Sequence, residues 1–268
     1  MSKVVFITGI SSGFGKQTSS FLAQKGYTIY GTCRKNCEHD PLVNLSYLDV
    51  TDQGAVEKCI NQVLEKEGRI DILINNAGMH TGGAIEVAPY EDIRLQMETN
   101  FMGIIHTIKA VLPAMRKQGK GTIVNVGSIG GLMGLPFQGI YSAGKFAIEG
   151  LSEVLRMELR QFNINVVVIN PGDFHTNNTL NRKNVFSAGN NKAYEEQFRK
   201  TLSIIEKDEY GGWKPEILAR KIYKILEKKR PANRYVIASI DQKTAVLLKR
   251  ILPESWFAAI LRSHYGIK

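Results

Sequence analysis

Short runs rich in Val and Ile, separated by helical patterns, are the feature that most constrains the fold of this chain. The run Ile164–Ile169 is typical of a central strand in a parallel sheet, because such strands are buried on both faces. Comparable runs predict strands at 4–8, 28–33, 44–48, 70–74, 121–126 and 234–238. Because helical patterns lie between these runs, the alternation predicts an α/β fold with a doubly wound parallel sheet.

The length and composition predict one domain that spans residues 1–268. A chain of 268 residues with 43% hydrophobic content can bury one large core, and it carries no Pro/Ser-rich linker, repeat or low-complexity run. No apolar run reaches the roughly 18 residues that a membrane span needs, and the amino terminus lacks the cleavage region of a signal peptide. We therefore expect a soluble, cytoplasmic protein.

The three cysteines bear on redox environment and on metal binding. Cys33, Cys37 and Cys59 are too few and too irregularly spaced for a disulfide framework or for a four-ligand zinc site. We therefore expect reduced thiols and no bound metal.

The net charge of +10 comes entirely from the last third of the chain. Residues 1–178 carry 16 Lys and Arg against 16 Asp and Glu, whereas residues 179–268 carry 19 against 9. A basic region can attract nucleic acid, an anionic membrane surface or an acidic partner, or it can be an ordinary solvated surface. Because we find neither interleaved aromatic residues nor a nucleic-acid-binding motif, we expect no nucleic-acid partner.

A glycine-rich turn follows the first predicted strand and precedes a helical pattern. Its spacing is Gly-x-x-x-Gly-x-Gly, and glycines at such positions let backbone N–H groups and a helix N-terminus approach a pyrophosphate. A plain turn is the alternative, but the strand-turn-helix context favours a dinucleotide site. The turn comprises Gly9, Ser11, Ser12, Gly13, Phe14 and Gly15.

The end of the second predicted strand indicates which nicotinamide cofactor would bind. In dinucleotide folds an acidic residue near this point holds the adenosine ribose 2′-hydroxyl, whereas an arginine accommodates a 2′-phosphate. Cys33 stands in the acidic position and Arg34 follows it. A guanidinium without a neighbouring carboxylate favours NADP(H), although Arg34 and Lys35 also fit an ordinary surface loop.

Tyr141 and Lys145 form the candidate catalytic pair. Their spacing of four residues places both side chains on one face of a helix, where the ammonium is expected to lower the pKa of the phenol and make it a general acid/base. Ser128 follows the strand predicted at 121–126, so its hydroxyl lies where open parallel sheets bind ligands. On their own the two side chains also fit an amphipathic helix with a solvated lysine.

Polar residues near the other strand ends complete the predicted site. Asn76, Ala77 and Gly78 follow a strand and permit close approach of the backbone to a cofactor, and Asp49 could contact an adenine amino group. Asn100 lies inside a long helical region that Pro89 opens. Such an amide either faces solvent, or it bends the helix and holds a water near the active site.

Over residues 1 to about 180 these motifs together resemble the short-chain dehydrogenase/reductase family. They occur in the family's order and approximate spacing. The matching residues are Thr8-Gly9-x-x-x-Gly13-x-Gly15, Asn75 to Gly78, Asn100, Ser128, Tyr141-x-x-x-Lys145 and Pro171-Gly172-x-x-x-Thr176.

This resemblance implies a Rossmann-type sheet of about seven strands and hydride transfer at the nicotinamide. It implies that Tyr141 donates the proton in reduction, that Ser128 polarises the substrate carbonyl, and that Lys145 binds the nicotinamide ribose. Asn100 would hold a relay water. The implied cofactor contacts are Asp49 and Val50 to adenine, Asn76, Ala77 and Gly78 to the middle of the cofactor, Pro171 and Gly172, and Thr176 to the carboxamide or phosphate. A homodimer or homotetramer is the family's common assembly.

The last third of the chain bears on the substrate. Residues 173–192 are rich in Asn and poor in pattern, as a mobile substrate loop or a disordered excursion would be. Residues 240–268 form an apolar, basic extension interrupted by Pro253, which could contact a membrane, wall a lipophilic cavity or pack on its own domain or a partner subunit. The extension resembles that of 17β-hydroxysteroid and retinol dehydrogenases. This implies a lipophilic ketone or alcohol: a steroid, a retinoid or a 3-keto lipid such as 3-ketosphinganine.

Two other functions stay open at this point. A 3-oxoacyl-[acyl-carrier-protein] reductase would suit the basic region, although such enzymes usually end earlier. A catalytically silent NADP-sensing scaffold would share the fold, but it would tolerate loss of the Ser, Tyr and Lys set that this chain retains.

Overall fold

The computed structural model describes residues 2–35, 37–176, 178–186 and 192–267. Residues 177 and 187–191 of the predicted substrate loop, and residue 268 of the extension, lie outside the described residues. The strands are β1 Val4–Thr8, β2 Thr28–Cys33, β3 Val43–Tyr47, β4 Ile72–Asn75, β5 Thr81–Gly83, β6 Gly121–Val126, β7 Ile164–Pro171, β8 Lys183–Val185 and β9 Arg234–Ile237. The helices are α1 Gly13–Gln24, α2 Gln53–Glu67, α3 Tyr90–Met97, α4 Gly103–Gln118, α5 Gly139–Leu159, α6 Asn178–Asn181, α7 Glu195–Tyr210, α8 Pro215–Leu226, α9 Ile240–Ile251 and α10 Glu254–His264.

Seven strands form one sheet in the order β3-β2-β1-β4-β6-β7-β9, and all neighbours in it are parallel. Apolar side chains of α2, α4 and α5 pack on one face, and those of α1 and α8 pack on the other. The strand order reverses between β1 and β4, which opens a crevice at the carboxyl ends of these strands. The predicted doubly wound sheet is therefore confirmed.

β4 begins two residues later than the predicted strand. The backbone of Ile70 exchanges hydrogen bonds with the Gln118 side chain, 3.2 and 3.1 Å, and the Asp71 carboxylate accepts one from the Val4 N–H at 2.8 Å. Side chains thus satisfy the Ile70 backbone and the Val4 N–H, whereas the Asp71 backbone still bonds to the backbone of Val4 and Thr122. Ile70 is nevertheless fully buried, so its apolar character reflects the core rather than the strand.

The helical region after Pro89 is interrupted rather than continuous. α3 and α4 are separated by a turn of π-helix, Glu98–Met102, which contains Asn100. Insertions of this kind often occur at functional sites because they redirect the side chains that they carry.

Part of the segment predicted as a patternless loop is ordered. α6 and β8 lie between 178 and 185, and β8 pairs in parallel with β5 to form a second, two-stranded sheet. β5 immediately follows the loop after β4, so this small sheet attaches the segment to the carboxyl edge of the large sheet. Short strands of three residues carry too little pattern to be predicted from sequence.

α9 and α10 pack on their own domain through one face only. Val246 and Phe257 are buried in a cluster with Ile129 and Met133, which follow β6. The opposite face of the two helices is exposed. None of the helices in the described part of the chain is both long and apolar enough to cross a bilayer.

Candidate active site

A groove of about 580 Å³ lies at the carboxyl ends of the strands. It brings together nearly all the residues that the sequence assigns to cofactor binding and catalysis. Those that line it are Gly9, Ser11, Ser12, Gly13, Phe14, Arg34, Val50, Asn76, Ala77, Gly78, Asn100, Ser128, Tyr141, Lys145, Pro171, Gly172 and Thr176. Gly15 and Asp49 are the two predicted residues that do not belong to the described lining.

The glycine turn between β1 and α1 allows neighbouring stretches of backbone to approach each other closely. Gly9 and Gly13 have positive φ angles of 73° and 52°. A Cβ on Gly9 would lie 2.7 Å from the Ala77 Cα, and one on Gly15 would lie 2.1 Å from the Gly9 carbonyl oxygen. Gly15 thus lets α1 pack against the turn, whereas Gly9 lets the turn pack against the loop after β4.

The N-terminus of α1 fits a pyrophosphate. Within the described chain, the Ser12 side chain makes no capping hydrogen bond to this helix. The first N–H groups of α1 are therefore left for a ligand, and helix N-termini favour negative charge. Together with the close-packed glycines, this is the local structure that a dinucleotide requires.

Asn76 holds this turn to the next loop. Its amide nitrogen donates to the carbonyl oxygens of Thr8 and Gly9 at 2.9 and 2.8 Å. In return, the Thr8 hydroxyl accepts hydrogen bonds from the backbone of Asn76 and Ala77 at 3.1 and 3.0 Å. These bonds tie the ends of two neighbouring strands together and fix the floor of the groove.

The far end of the groove presents Arg34 and Val50. Arg34 is exposed at the end of β2, where a 2′-phosphate would lie in a dinucleotide fold. The Asp49 carboxylate instead accepts hydrogen bonds from the Thr51 N–H and hydroxyl at 3.0 and 2.9 Å. Asp49 shapes its own turn, while Val50 next to it lines the groove.

Ser128, Tyr141 and Lys145 converge at the other end. The Ser128 hydroxyl interacts with the Tyr141 phenol, and Ser128 Oγ accepts a hydrogen bond from the Gly130 N–H at 3.0 Å. Lys145 Nζ donates to the Val126 carbonyl oxygen at 2.8 Å and lies 5.7 Å from the centre of the Tyr141 ring. Two hydroxyl groups and an ammonium therefore border one cavity, as the sequence predicts.

The pKa of Tyr141 shifts in the direction opposite to our prediction. Burial raises it, and the carboxylates of Glu209 and Asp173 add to this, while the hydrogen bond from Ser128 opposes it. Burial also lowers the pKa of Lys145 to about 8. The cost of burying a phenolate outweighs the effect of the lysine charge, on which the prediction was based.

Asn100 is buried, so it does not face solvent. Its side-chain oxygen accepts a hydrogen bond from the Met79 N–H, and its nitrogen donates to the Met79 carbonyl oxygen, both at 2.8 Å. The π-helical turn aims this amide at the loop that follows Gly78. Asn100 therefore orders one wall of the groove next to Tyr141.

The substrate side of the groove contains residues that the sequence did not name as site residues. Four of them stand within two residues of predicted motifs, and three fall in the segments 173–192 and 240–268 that were expected to bear on the substrate. Ile205, Asp208 and Glu209 carry no such signal. These lining residues are Met79, His80, Gln138, Asp173, Phe174, Ile205, Asp208, Glu209 and Tyr265.

Three of these residues are carboxylates, which gives this end of the groove a negative character. Glu209 pairs with the buried Arg182, and Asp208 lies 3.0 Å from His264 Nε2. Gln242 donates a hydrogen bond to Asp173, yet burial and the two neighbouring carboxylates raise the pKa of Asp173 to about 7. A raised pKa means that the folded protein stabilises the charged carboxylate less well than water does.

Comparisons with known proteins agree with this geometry. The family model of short chain dehydrogenases matches residues 3–185. The 3-ketodihydrosphingosine reductase of Bacteroides thetaiotaomicron is 44% identical over 266 residues, which cover 99% of each chain. The crystal structure of a short-chain dehydrogenase from Streptomyces avermitilis is 31% identical, with a TM-score of 0.83 over 98% of each chain. The structure of ElxO with bound NADP is 26% identical, with a TM-score of 0.71 over 88% of this chain and 96% of that one.

Proposed function

The chain belongs to the short-chain dehydrogenase family, and within that family of oxidoreductases we propose that it is an NADPH-dependent reductase of 3-ketodihydrosphingosine. The observation that carries the proposal is the similarity, over 99% of both chains, to a bacterial reductase of that name. The groove adds a physical reason, because its catalytic hydroxyl groups stand beside carboxylates that suit an amino ketone.

The hydroxyl groups of Ser128 and Tyr141 can hold and protonate a ketone. NADPH would supply the hydride that adds to the carbonyl carbon. Tyr141 donates its phenolic proton to the carbonyl oxygen, and Ser128 donates a hydrogen bond to the same oxygen, so a secondary alcohol results. The raised pKa of Tyr141 keeps the phenol protonated, which is the state a proton donor needs. Lys145 would bind the nicotinamide ribose and Asn100 would hold a relay water.

NADP(H) suits the far end of the groove better than NAD(H). Arg34 presents a guanidinium there, and buried Cys33 stands where a carboxylate would repel a 2′-phosphate. The related ElxO binds NADP. The glycine turn and the α1 N-terminus would hold the pyrophosphate between the two ends.

The carboxylates favour a cationic substrate over the alternatives. 3-Ketodihydrosphingosine carries an amino group on the carbon next to the ketone, which is an ammonium at neutral pH. Asp173 and Glu209 line the same groove as Tyr141, and their charges act on its phenol. A steroid or retinoid ketone offers them no cation, and the phosphates of an acyl carrier or coenzyme A thioester would be repelled.

Peripheral contact with a membrane would give access to this lipid. The exposed faces of α9 and α10 carry Ile240, Leu247 and Ile251 on one helix, and Trp256 and Ile260 on the next. Lys243, Arg250 and Arg262 are exposed on the same two helices. An apolar stripe flanked by cations is the surface of a helix that lies at an anionic membrane interface.

A homodimer or homotetramer is the assembly that we propose. Phe146, Val154 and Met157 are exposed along one side of α5, the helix that carries Tyr141. Apolar side chains at this spacing form a continuous stripe that a second copy of the chain would cover. Sedimentation equilibrium of the protein with and without Met157→Lys tests the contact.

The proposed activity is tested with purified full-length protein and NADPH. We expect turnover of 3-ketodihydrosphingosine, and much weaker turnover of acetoacetyl-CoA and of a decalone assayed in parallel. Preferred reduction of acetoacetyl-CoA would favour the carrier-protein reductase. Binding of NADPH without turnover of any carbonyl compound would favour a silent scaffold.

Membrane contact is tested by sedimentation with vesicles of phosphatidylglycerol and phosphatidylcholine. We expect binding that weakens as the anionic lipid is removed and that is lost in a Leu247→Ser/Trp256→Ser double variant. Tyr90→Ser, which removes an exposed aromatic residue elsewhere, is the matched control. Equal sedimentation of all three proteins would contradict the proposal.

A further inference from the structure

His80 lies five residues beyond the end of β4 and forms part of the groove beside Tyr141. Only 4% of its surface is exposed. Its imidazole stacks on the Tyr141 ring with 4.2 Å between the ring centres and 22° between the planes. The stack places a second polar ring next to the phenol that would protonate the substrate.

A buried arginine fixes the orientation of this imidazole. Arg182 Nε donates a hydrogen bond to His80 Nδ1 at 3.3 Å, and the guanidinium also pairs with Glu209. The other Glu209 oxygen accepts a hydrogen bond from the Thr179 hydroxyl at 2.6 Å. The His80 carbonyl oxygen accepts one from the Lys183 N–H at 2.9 Å, so the backbone is held by β8 as well.

These contacts determine which imidazole nitrogen carries the proton. An arginine Nε–H can only donate, so His80 Nδ1 must accept. Burial and the positive charges of Arg182 and Lys145 hold the pKa of His80 well below its usual range, so the ring is neutral. A neutral imidazole that accepts at Nδ1 carries its hydrogen on Nε2.

The Nε2–H group is a donor for which the described part of the chain supplies no acceptor. Nε2 is buried, and it has no hydrogen-bond partner among the described residues. Unpaired buried donors are uncommon in proteins because each one costs free energy, and many of them have a functional reason. His80 lines the groove, so a substrate that displaces the atoms covering Nε2 can supply the acceptor.

We propose that His80 Nε2–H donates a hydrogen bond to a substrate hydroxyl oxygen two carbons away from the ketone that Tyr141 and Ser128 hold. This inference rests on the proposed function, since 3-ketodihydrosphingosine carries its C1 hydroxyl at that position relative to the C3 ketone. The two catalytic hydroxyl groups are occupied by the ketone oxygen. The His80 ring stacks on the phenol ring of Tyr141, and its Nε2–H donates to the oxygen of the substrate hydroxyl.

The expected consequence is selectivity for substrates that carry this hydroxyl. A site with a buried donor disfavours an analogue that lacks the acceptor, because the donor is then desolvated and left unpaired. A neutral hydrogen bond of this kind corresponds to roughly a three- to tenfold preference. A purely structural stack of His80 on Tyr141 would give no such preference.

The test compares 3-ketodihydrosphingosine with its 1-deoxy analogue, which lacks the C1 hydroxyl, in the wild-type protein and in His80→Phe. Phenylalanine keeps a flat ring against Tyr141 but has no N–H. We expect the ratio of kcat/KM for the two substrates to fall roughly three- to tenfold, to near one, while the Kd for NADPH is unchanged. The matched control is His106→Phe, at another buried histidine outside the described lining, and it should keep the wild-type ratio.

Three other outcomes separate this inference from the proposed function. If the wild-type protein reduces both substrates and His80→Phe keeps the wild-type ratio, the role of His80 is wrong and the function stands. If the wild-type protein reduces neither, the proposed function fails and the inference fails with it. If His80→Phe does not fold, ¹⁵N NMR of histidine-labelled wild-type protein tests the role of His80 instead.

In that spectrum we expect the Nε2-protonated tautomer, with an Nε2–H signal that shifts on addition of sphinganine but not of 1-deoxysphinganine. A proton on Nδ1, or equal shifts with both products, overturns the role of His80.

Discussion

The two walls of the groove differ in the atoms that they present. The cofactor wall, formed by Gly9 to Phe14, Arg34, Val50 and Asn76 to Gly78, presents mainly backbone and small side chains. The substrate wall, formed by His80, Asp173, Asp208, Glu209 and Tyr265, presents titratable side chains. We propose that the first wall recognises the shape and the phosphates of the cofactor, whereas the second recognises the charge and the hydrogen-bonding groups of the substrate.

This difference shows why the cofactor is easier to assign than the substrate. The cofactor wall comes from short segments that each follow a strand, so its members carry local motifs. The substrate wall is assembled from the loop after β4, the segment after β7, α7 and the residues after α10. Few of those positions belong to a sequence motif, so their common location in the groove is evident only from the folded structure.

Tyr141 lies where the two walls meet, and its replacement should have the largest effect. Tyr141→Phe removes the proposed proton donor but keeps the ring that stacks on His80, so kcat should fall by about 10²- to 10⁴-fold while NADPH still binds. Steady-state kinetics and a fluorescence titration with NADPH measure the two effects. Tyr90→Phe, at an exposed tyrosine, is the control. A kcat within tenfold of wild type would remove Tyr141 from its role.

Gly15→Ala probes the packing of the cofactor wall. The added Cβ would lie 2.1 Å from the Gly9 oxygen, so the turn must shift. We expect a loss of about 1–3 kcal/mol in unfolding free energy and weaker NADPH binding, measured by urea denaturation and titration. Gly54→Ala meets only an ordinary 3.5 Å contact and should be close to neutral. Equal behaviour of the two variants would contradict the close packing of this wall.

Arg34→Asp tests whether the cofactor wall selects its ligand by charge. Replacing the guanidinium with a carboxylate should lower the ratio of kcat/KM for NADPH to that for NADH by about 10- to 100-fold, because a charge-assisted contact becomes a repulsion. Lys35→Asp makes a similar charge change one residue further on, outside the described lining, and should have a smaller effect. An unchanged ratio in Arg34→Asp would refute the 2′-phosphate contact.

Asp173→Asn tests the charge of the substrate wall and should have the smallest effect. We expect kcat/KM for 3-ketodihydrosphingosine to fall by about tenfold while that for a decalone is unchanged, since only the first carries a cation. Glu254→Gln, at an exposed carboxylate far from the groove, is the matched control. Equal losses for both substrates would indicate a structural role for Asp173.

The pH profile provides an independent check of the same carboxylate. The pKa of Asp173 is raised to about 7, so the group is neutral below that pH and becomes a carboxylate above it. In the wild-type protein, kcat/KM for the amino ketone should therefore rise with pH through about 7, because this parameter reports the free enzyme. The rise should be absent in Asp173→Asn. A wild-type profile that falls through this range would contradict the assignment.

The sequence alone determined the parallel sheet, the glycine turn and the set of Ser128, Tyr141 and Lys145. These features are predictable because they depend on local order: a buried strand, a turn with defined backbone angles, or two side chains one helical turn apart. Several strand boundaries differ from the prediction by one or two residues, and at β4 the reason is that the Gln118 side chain bonds to the Ile70 backbone in place of a neighbouring strand.

The electrostatics of the site and the composition of its substrate wall could be learned only from the tertiary structure. Whether a phenol is made more or less acidic depends on its burial and on charges such as Glu209 that lie far along the chain. Likewise, His80 gains a defined tautomer only because the small sheet of β5 and β8 brings Arg182 to it. Burial and charge pairing are sums over neighbours that the fold assembles, so no single stretch of sequence contains them.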